Sequence, residues 1–345
     1  YAAERFDVRR NPESKARFFY HRLTERARGA LPDVQIIEQQ GDADISRTLL
    51  LEIEKNFESG RQTVLLLNRR GYQPYIQCRT CKSVVECPRC SVGLTAHRDG
   101  RLLCHQCGWT ERELKQCRSC GGPLKQQGTA VQKVEEFLLA RFPSMRIERL
   151  DTDAAAKIDV EDVLSRFLQG EIVLLTGTQM IAKGLDSPGV TLVGVLQADR
   201  GLALPDFRAQ ERVFSLLMQV AGRAGRGEEA GRVFFEAVNT EHPVLLLARE
   251  QNYDRFFAEE IAERRESGYP PFKRLIRILI RSREEAVAVK RIEELASLLT
   301  TELSEKDELL GPAPAPLTKL HNNYRYHLIL KTTAPDRLRG VLKER

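Results

Sequence analysis

All eight cysteines of the 345-residue chain lie between Cys78 and Cys120 and form four Cys-x-x-Cys pairs: Cys78/Cys81, Cys87/Cys90, Cys104/Cys107 and Cys117/Cys120. Two thiolates separated by two residues can face one tetrahedral Zn²⁺ at about 2.3 Å, so eight thiolates complete two closed four-sulfur sites. A disulfide scaffold would bring irregular cysteine spacing and a secretory signal; neither is seen here, which points to the reducing cytoplasm. Closed sites of this kind are structural, and the metal supplies folding energy to a segment with little core of its own. His97 and His105 lie nearby but are not needed as ligands once eight sulfurs are available.

A second group is cationic. Gln219-Val220-Ala221-Gly222-Arg223-Ala224-Gly225-Arg226 follows a helix-like run from Glu211 to Met218. Planar, permanently charged guanidinium groups suit phosphate oxygens. In a nucleotide hydrolase such an arginine neutralises charge on the transferred phosphoryl group. A third group runs Thr176-Gly177-Thr178-Gln179-Met180-Ile181-Ala182-Lys183-Gly184-Leu185-Asp186, after the apolar stretch Ile172 to Leu175. A polar loop at the C-terminal end of a parallel strand is where open α/β sheets bind ligands. Thr178, Gln179 and Lys183 suit phosphates there, and Asp186 a ribose hydroxyl. Ala198 to Arg208 is a further polar loop, in which Phe207 and Arg208 either pack against nucleic acid or brace the loop.

These groups need a scaffold. Val64 to Leu67, Ile172 to Leu175, Thr191 to Leu196 and Val233 to Phe235 are short apolar runs without polar alternation, and Ile147 to Leu150 reads as a further short strand. Between them, Val131/Val134/Leu138/Phe142 and Val160/Leu164/Phe167/Leu168 keep helical spacing. The alternation predicts an α/β fold, a parallel sheet between helices, with the cysteine segment inserted near its start. After Gly268-Tyr269-Pro270-Pro271-Phe272 the style changes. Ile276, Ile278 and Ile280 alternate with Arg277 and Arg281, and Ala286 to Leu299 is helical in spacing. Gly311 to Pro316 reads as a stiff connector, and Tyr324, Tyr326 and Leu328 alternate with Arg325 and His327. This predicts a small separate α+β domain.

With 54 Lys+Arg against 48 Asp+Glu the formal net charge is +6, which permits a nucleic-acid partner without requiring one. Hydrophobic residues at 42% exclude general disorder. No apolar run approaches the roughly 20 residues of a membrane span. The chain opens on Tyr1 without an initiator Met and is expected to be a fragment or a processed product.

In this order, Asn68-Arg69-Arg70-Gly71-Tyr72, the cysteine array, Gly177 to Asp186, Pro205-Asp206-Phe207-Arg208-Ala209 and Gln219 to Arg226 resemble motifs IV to VI of superfamily 2 helicases. From about Leu31 onward the chain is similar to the PriA family of replication-restart helicases. The resemblance implies a RecA-like helicase lobe 2 with an inserted double-zinc module and a C-terminal α+β domain. The implied divisions are 1–45, the tail of an upstream lobe; 46–77 with 126–245, lobe 2; 78–125, the zinc module; and 246–345, the C-terminal domain. Spacing alone leaves the cysteine pairing open. The resemblance implies nesting, with Cys78, Cys81, Cys117 and Cys120 around one zinc and Cys87, Cys90, Cys104 and Cys107 around the other. It also places Gln219, Arg223 and Arg226 at the ATP γ-phosphate, with Arg226 as the finger. Thr178, Gln179, Lys183, Gly184 and Asp186 would then lie between ATP and DNA. Lys183-Gly184 stands where the superfamily usually has Arg-Gly, which keeps the charge but not the bidentate fork.

Neither Gly-x-x-x-x-Gly-Lys-[Ser/Thr] nor Asp-Glu-x-His occurs in the 345 residues. Without that phosphate cradle and Mg²⁺-binding box, this chain alone is expected not to hydrolyse ATP. The family carries both in a first lobe, to whose tail Tyr1 to Pro32 is similar. The implied whole is an ATP-dependent 3′→5′ DNA helicase, cytoplasmic and nucleoid-associated, acting as a monomer. It would bind stalled or branched forks and single-stranded DNA and help reload the replicative helicase with primosome partners. Its C-terminal domain would dock the acidic tail of single-stranded DNA-binding protein, with Lys319, Arg325 and Lys331 beside Tyr324 and Tyr326. Arg79, Lys82, Arg89, Arg98 and Arg101 in the zinc module suit phosphate contacts. The other reading is a non-catalytic fork-binding scaffold, against which the retained Gln219, Arg223 and Arg226 weigh.

Overall fold

Val64 and Leu66 enter one apolar cluster while Leu65 and Leu67 enter another, as the two-residue period of a strand requires. They belong to β2 (Gln62–Leu67), which is buried along its whole length. The structure, a computed structural model, describes residues 31–39, 45–68, 75–96, 100–127, 131–151, 159–182, 187–225, 227 and 229–343.

The first unit is a six-stranded parallel sheet. It comprises β1 (Asp33–Glu38), β2, β8 (Ile147–Leu150), β9 (Leu174–Gly177), β10 (Val190–Leu196) and β11 (Arg232–Ala237), in the order β1-β11-β10-β2-β9-β8. On one face lie α1 (Arg47–Glu58) and α2 (Val131–Arg141), contributing Leu49, Ile53, Val134 and Leu138. On the other lie α3 (Val160–Leu168), α4 (Gln179–Ala182), α5 (Ala209–Ala221), α6 (Pro243–Arg249) and α7 (Tyr253–Glu266). The result is the sandwich that unbroken apolar strands demand.

Two boundaries differ from expectation. The stretch 1–45 holds β1, which adds an edge strand to the sheet and pairs with β11 from Asp33↔Arg232 onward. Residues 1–30 of that stretch lie outside the described residues. The expected start of the C-terminal domain at 246 cuts through α6, whose Val244, Leu245, Leu247 and Ala248 are core residues of the sheet. Phe256 of α7 stacks on Phe214 of α5 at 4.0 Å, so by packing the first unit runs to the end of α7.

The cysteine segment leaves after β2. Its β3 (Tyr75–Cys78) pairs with β7 (Leu124–Gln127), enclosing β4 (Thr95–Ala96), β5 (Arg101–Leu103) and β6 (Thr110–Arg112). The last unit is a three-stranded antiparallel sheet, β12 (Arg274–Ser282), β13 (Glu308–Leu320) and β14 (Asn323–Thr332), with β14 central. Helices α8 (Glu285–Glu302) and α9 (Pro335–Lys343) flank it, with Ile292, Leu299 and Leu338 in the core. Gly311 to Pro316, expected as a connector, lies inside β13. Prolines lack a ladder donor and are tolerated on an edge strand, and the register of β13 slips at both ends of the run.

No helix among the described residues is long and apolar enough to cross a membrane. At the end of β9, a Cβ on Gly177 would stand 2.0 Å from the Leu150 carbonyl oxygen. Gly177→Ala is therefore expected to force β8 and β9 apart, at a cost of about 1–3 kcal/mol. Gly340→Ala, which meets nothing within 4 Å, is expected to be neutral or to stabilise by up to about 1 kcal/mol. Denaturant unfolding of the two variants measures both.

Candidate functional site

The structure brings the thiols together as Cys78, Cys81, Cys117 and Cys120, and as Cys87, Cys90, Cys104 and Cys107, with the sulfurs of each group all within 4.8 Å of one another. Cys78 to Cys120 is 3.5 Å, Cys81 to Cys117 is 3.7 Å and Cys87 to Cys107 is 3.6 Å. A disulfide would need about 2.05 Å. Four sulfurs on a tetrahedron with Zn–S near 2.3 Å stand about 3.8 Å apart. The donor set and its spacing fit Zn²⁺. The β3/β7 pairing sets Cys78 opposite Leu124 and so closes the outer group, while β4–β6 carry the inner one.

Short backbone bonds prepare the sulfurs. The N–H groups of Arg89 and Ser119 each donate to Cys87 and Cys117 Sγ at 3.4 Å. The Ser83 hydroxyl and N–H hold the Cys81 thiol down at about 6. Burial pushes Cys87 up to about 12 and Cys90 up to about 11. Four thiolates this close can coexist only around a cation.

The cationic turn is fixed by glycine rather than by charge. After α5, Gly225 (φ +68°) donates its N–H to the Val190 carbonyl at 3.1 Å. A Cβ on Gly225 would meet Gly231 N at 2.4 Å, so the turn lies against the N-terminal ends of β10 and β11. The segment 187–190, which directly follows 183–186, is at the same edge. Its Ser187 hydroxyl donates to Gln62 Oε1 at 2.8 Å, and Gln62 Nε2 donates to the Phe167 and Ile172 carbonyls. Thr178 and Gln179, at the C-terminal end of β9, start from the opposite edge, and α4 packs against α5. Gln219 is exposed near the end of α5 and Arg223 is half-buried. Lys183, Gly184, Asp186 and Arg226 lie outside the described residues, as do Arg69 to Tyr72, His97 and Arg98.

Three family descriptions match this chain. Residues 87–112 match the PriA DNA helicase Cys-rich region, 125–228 the helicase conserved C-terminal domain, and 265–345 the primosomal protein N C-terminal domain. The chain belongs to the PriA family. It is 38% identical over 333 residues to the replication restart protein PriA of Bacillus subtilis, covering 94% of this chain and 41% of that protein. It is 39% identical over 335 residues to the Treponema pallidum protein of the same name, covering 96% and 50%. The chain thus spans half or less of the length of these relatives.

In this PriA-family chain, Phe207 braces its loop. Its ring stacks on Tyr269 at 5.2 Å and 10°, with the guanidinium groups of Arg208 and Arg264 each 5.2 Å from it. Among the C-terminal candidates, Lys331 is buried, donating to the Ser267 carbonyl at 2.9 Å and pairing with Glu308. Lys319 Nζ donates to the Pro88 carbonyl, and the Tyr326 hydroxyl to Glu285. Arg325 stands across the ladder from Arg281, and burial together with Arg277 and Arg281 lowers its pKa. Arg89 of the zinc module is stacked over Trp109 at 4.5 Å. Sequence reasoning missed Gln62 and took Asn68 only as the start of a motif, without its bracing role. Buried Asn68 donates to the Ala198 and Arg200 carbonyls at 3.1 and 2.7 Å, fixing the loop after β10; a polar residue ending an apolar run was the available signal.

Metal analysis of the purified chain is expected to give about two zinc per chain. Cys104→Ser, at a buried ligand of the inner group, is expected to bring it to about one, with the outer zinc retained.

Proposed function

We propose that this chain supplies the second helicase lobe, the double-zinc module and the C-terminal domain of an ATP-driven 3′→5′ DNA helicase that restarts stalled replication forks. The observation that carries this reading is the anchoring of the arginine turn at the edge of the sheet where β10 begins. The arginine turn is hydrogen-bonded to Val190, and Val190 closes the segment that follows Lys183 to Asp186.

On this reading Arg223 and Arg226 face the γ-phosphate of ATP held between two lobes, where guanidinium charge offsets the charge that builds as the phosphoryl group transfers. Gln219 orients the attacking water, and Lys183, Gly184 and Asp186 hold the nucleotide. Thr178 and Gln179, from the other edge of the sheet, pass the nucleotide state to the DNA backbone. The phosphate cradle and the Mg²⁺ box belong to a first lobe. Zn²⁺ at the two cysteine groups keeps the module folded, so that it can meet the duplex at the fork. The chain works in the cytoplasm at the nucleoid, with helicase-loading proteins as partners.

Arg277, Arg281 and Arg325 form the anion-binding face of the C-terminal domain. Three guanidinium groups close enough to lower a pKa are relieved by a negative partner, either DNA phosphates or the acidic tail of single-stranded DNA-binding protein. Replacing all three with Ala is expected to weaken an acidic tail peptide at least tenfold, read by fluorescence anisotropy. Unchanged binding would rule this face out.

The decisive measurement is fork-stimulated ATP hydrolysis by the whole protein. Arg226→Ala is expected to lower kcat by about 10³-fold or more, the scale of a lost arginine finger, with fork affinity retained. Tight fork binding with no hydrolysis in the unsubstituted protein would instead support a loading scaffold.

A further inference from the structure

Between β13 and β14, His321 (φ +49°) and Asn322 (φ +63°) form a two-residue turn of the kind that matches strand twist, with both φ values positive. Its tip is engaged with the inner cysteine group. The His321 N–H donates to Cys90 Sγ at 3.4 Å. The Asn322 N–H donates to the Arg89 carbonyl at 2.9 Å, and the Ser91 N–H to the Lys319 carbonyl at 2.8 Å. The Lys319 N–H donates to Ser91 Oγ at 2.9 Å, and its Nζ to the Pro88 carbonyl at 3.0 Å. Leu320 packs into the apolar cluster of the zinc module beside Leu94 and Leu102. The whole 88–91 knuckle is therefore bonded to a hairpin more than 200 residues away in sequence.

Knuckle turns ordinarily take their N–H···S bonds from their own loop, as Cys87 and Cys117 do here. Cys90 takes one from another domain. We infer that the β13–β14 hairpin tip is an outer-shell clamp on the inner zinc, so that retention of that metal and docking of the C-terminal domain are one coupled equilibrium. The inference rests on the zinc reading of the cysteine groups. An N–H directed at a thiolate disperses its charge and fixes its orientation, the role outer-shell partners play at metal sites, where removing one costs about 10–100-fold in affinity or activity. Linkage is reciprocal: the factor by which docking favours zinc is the factor by which zinc favours docking. The outer group takes no bond from the hairpin among the contacts described.

The test uses the zinc-loaded 345-residue chain challenged with a metal chelator. Zinc release is followed with a colorimetric reporter. Inner-site loss is followed by emission of Trp109, the single tryptophan, whose backbone N–H donates to Cys107 Sγ. Leu320→Asp, which puts a charge into the shared cluster, is expected to speed inner-zinc release about tenfold or more. Ser91→Ala, which alters only the zinc side of the joint, is expected to act in the same direction with a smaller factor. The slower, outer-zinc phase is expected to keep its rate in both. In the reverse direction, removing the inner zinc is expected to release the Asn322 and Ser91 amides to hydrogen exchange, while Leu328 in the centre of the sheet stays protected. The clamp is overturned if both variants keep the parent release rate, if both zinc phases accelerate equally, or if Asn322 and Ser91 stay protected once the inner zinc is gone. A parent chain holding no zinc would overturn the metal reading and the clamp with it, before any variant is made.

Discussion

Four thiolates held within 4.8 Å of one another repel, and a cation at their centre is what makes that geometry stable. Much of the rest of the molecule depends on this constraint. The apolar cluster of the cysteine segment counts Cys87, Cys90 and Cys104 among its buried members, beside Ile76, Val85, Leu94 and Leu102. A core that small folds only with help, and metal ligation supplies it. The segment is also inserted into the crossover between β2 and α2, where a disordered loop would loosen the parallel sheet. Pairing of β3 with β7, from Tyr75↔Gln127 to Cys78↔Leu124, returns the chain to the place it left. The sheet therefore forms around the insertion, and β2 can pair with β9 and β10.

Steric fit has a comparable part at the arginine turn. Guanidinium groups at the end of a surface helix would ordinarily sweep a wide volume. Here Gly225 and Gly231 approach so closely that a Cβ on Gly231 would lie 2.5 Å from the Ala224 carbonyl carbon. The backbone between α5 and β11 is thereby pressed onto the start of β10. Below it, Gln62 satisfies three partners with one buried amide. Backbone contact of this kind fixes the turn without any need for charge pairing within the chain.

What was legible in the sequence follows from how local each signal is. Cys-x-x-Cys spacing and the unbroken apolar runs of β2, β10 and β11 are set by near neighbours, and they could be read directly. β1 could not, because Asp33-Val34-Gln35-Ile36-Ile37-Glu38 is short and half polar and becomes a strand only by pairing with β11, about 200 residues away. The helices α6 and α7 read as the start of another domain because their burial against Phe214 is a tertiary fact. Gly311 to Pro316 shows proline overruled by its place at a sheet edge. Lys331 and Lys319 looked like surface cations, yet each is held by a carbonyl of a different segment. Formal charge says nothing of such partners.

The C-terminal domain meets both other units, and the two joints differ in make-up. Toward the helicase lobe the contacts include the Phe207–Tyr269 stack with its flanking guanidinium groups, the Lys331 bond to the Ser267 carbonyl and the Arg264 bond to the Pro270 carbonyl, and an aromatic pair contributes about 0.5–1.5 kcal/mol beyond its buried area. Toward the zinc module there are five hydrogen bonds and a half-buried leucine. The short run 267–273 that joins α7 to β12 is itself held from both sides, by Lys331 at the Ser267 carbonyl and the Tyr269 ring and by Arg264 at the Pro270 carbonyl.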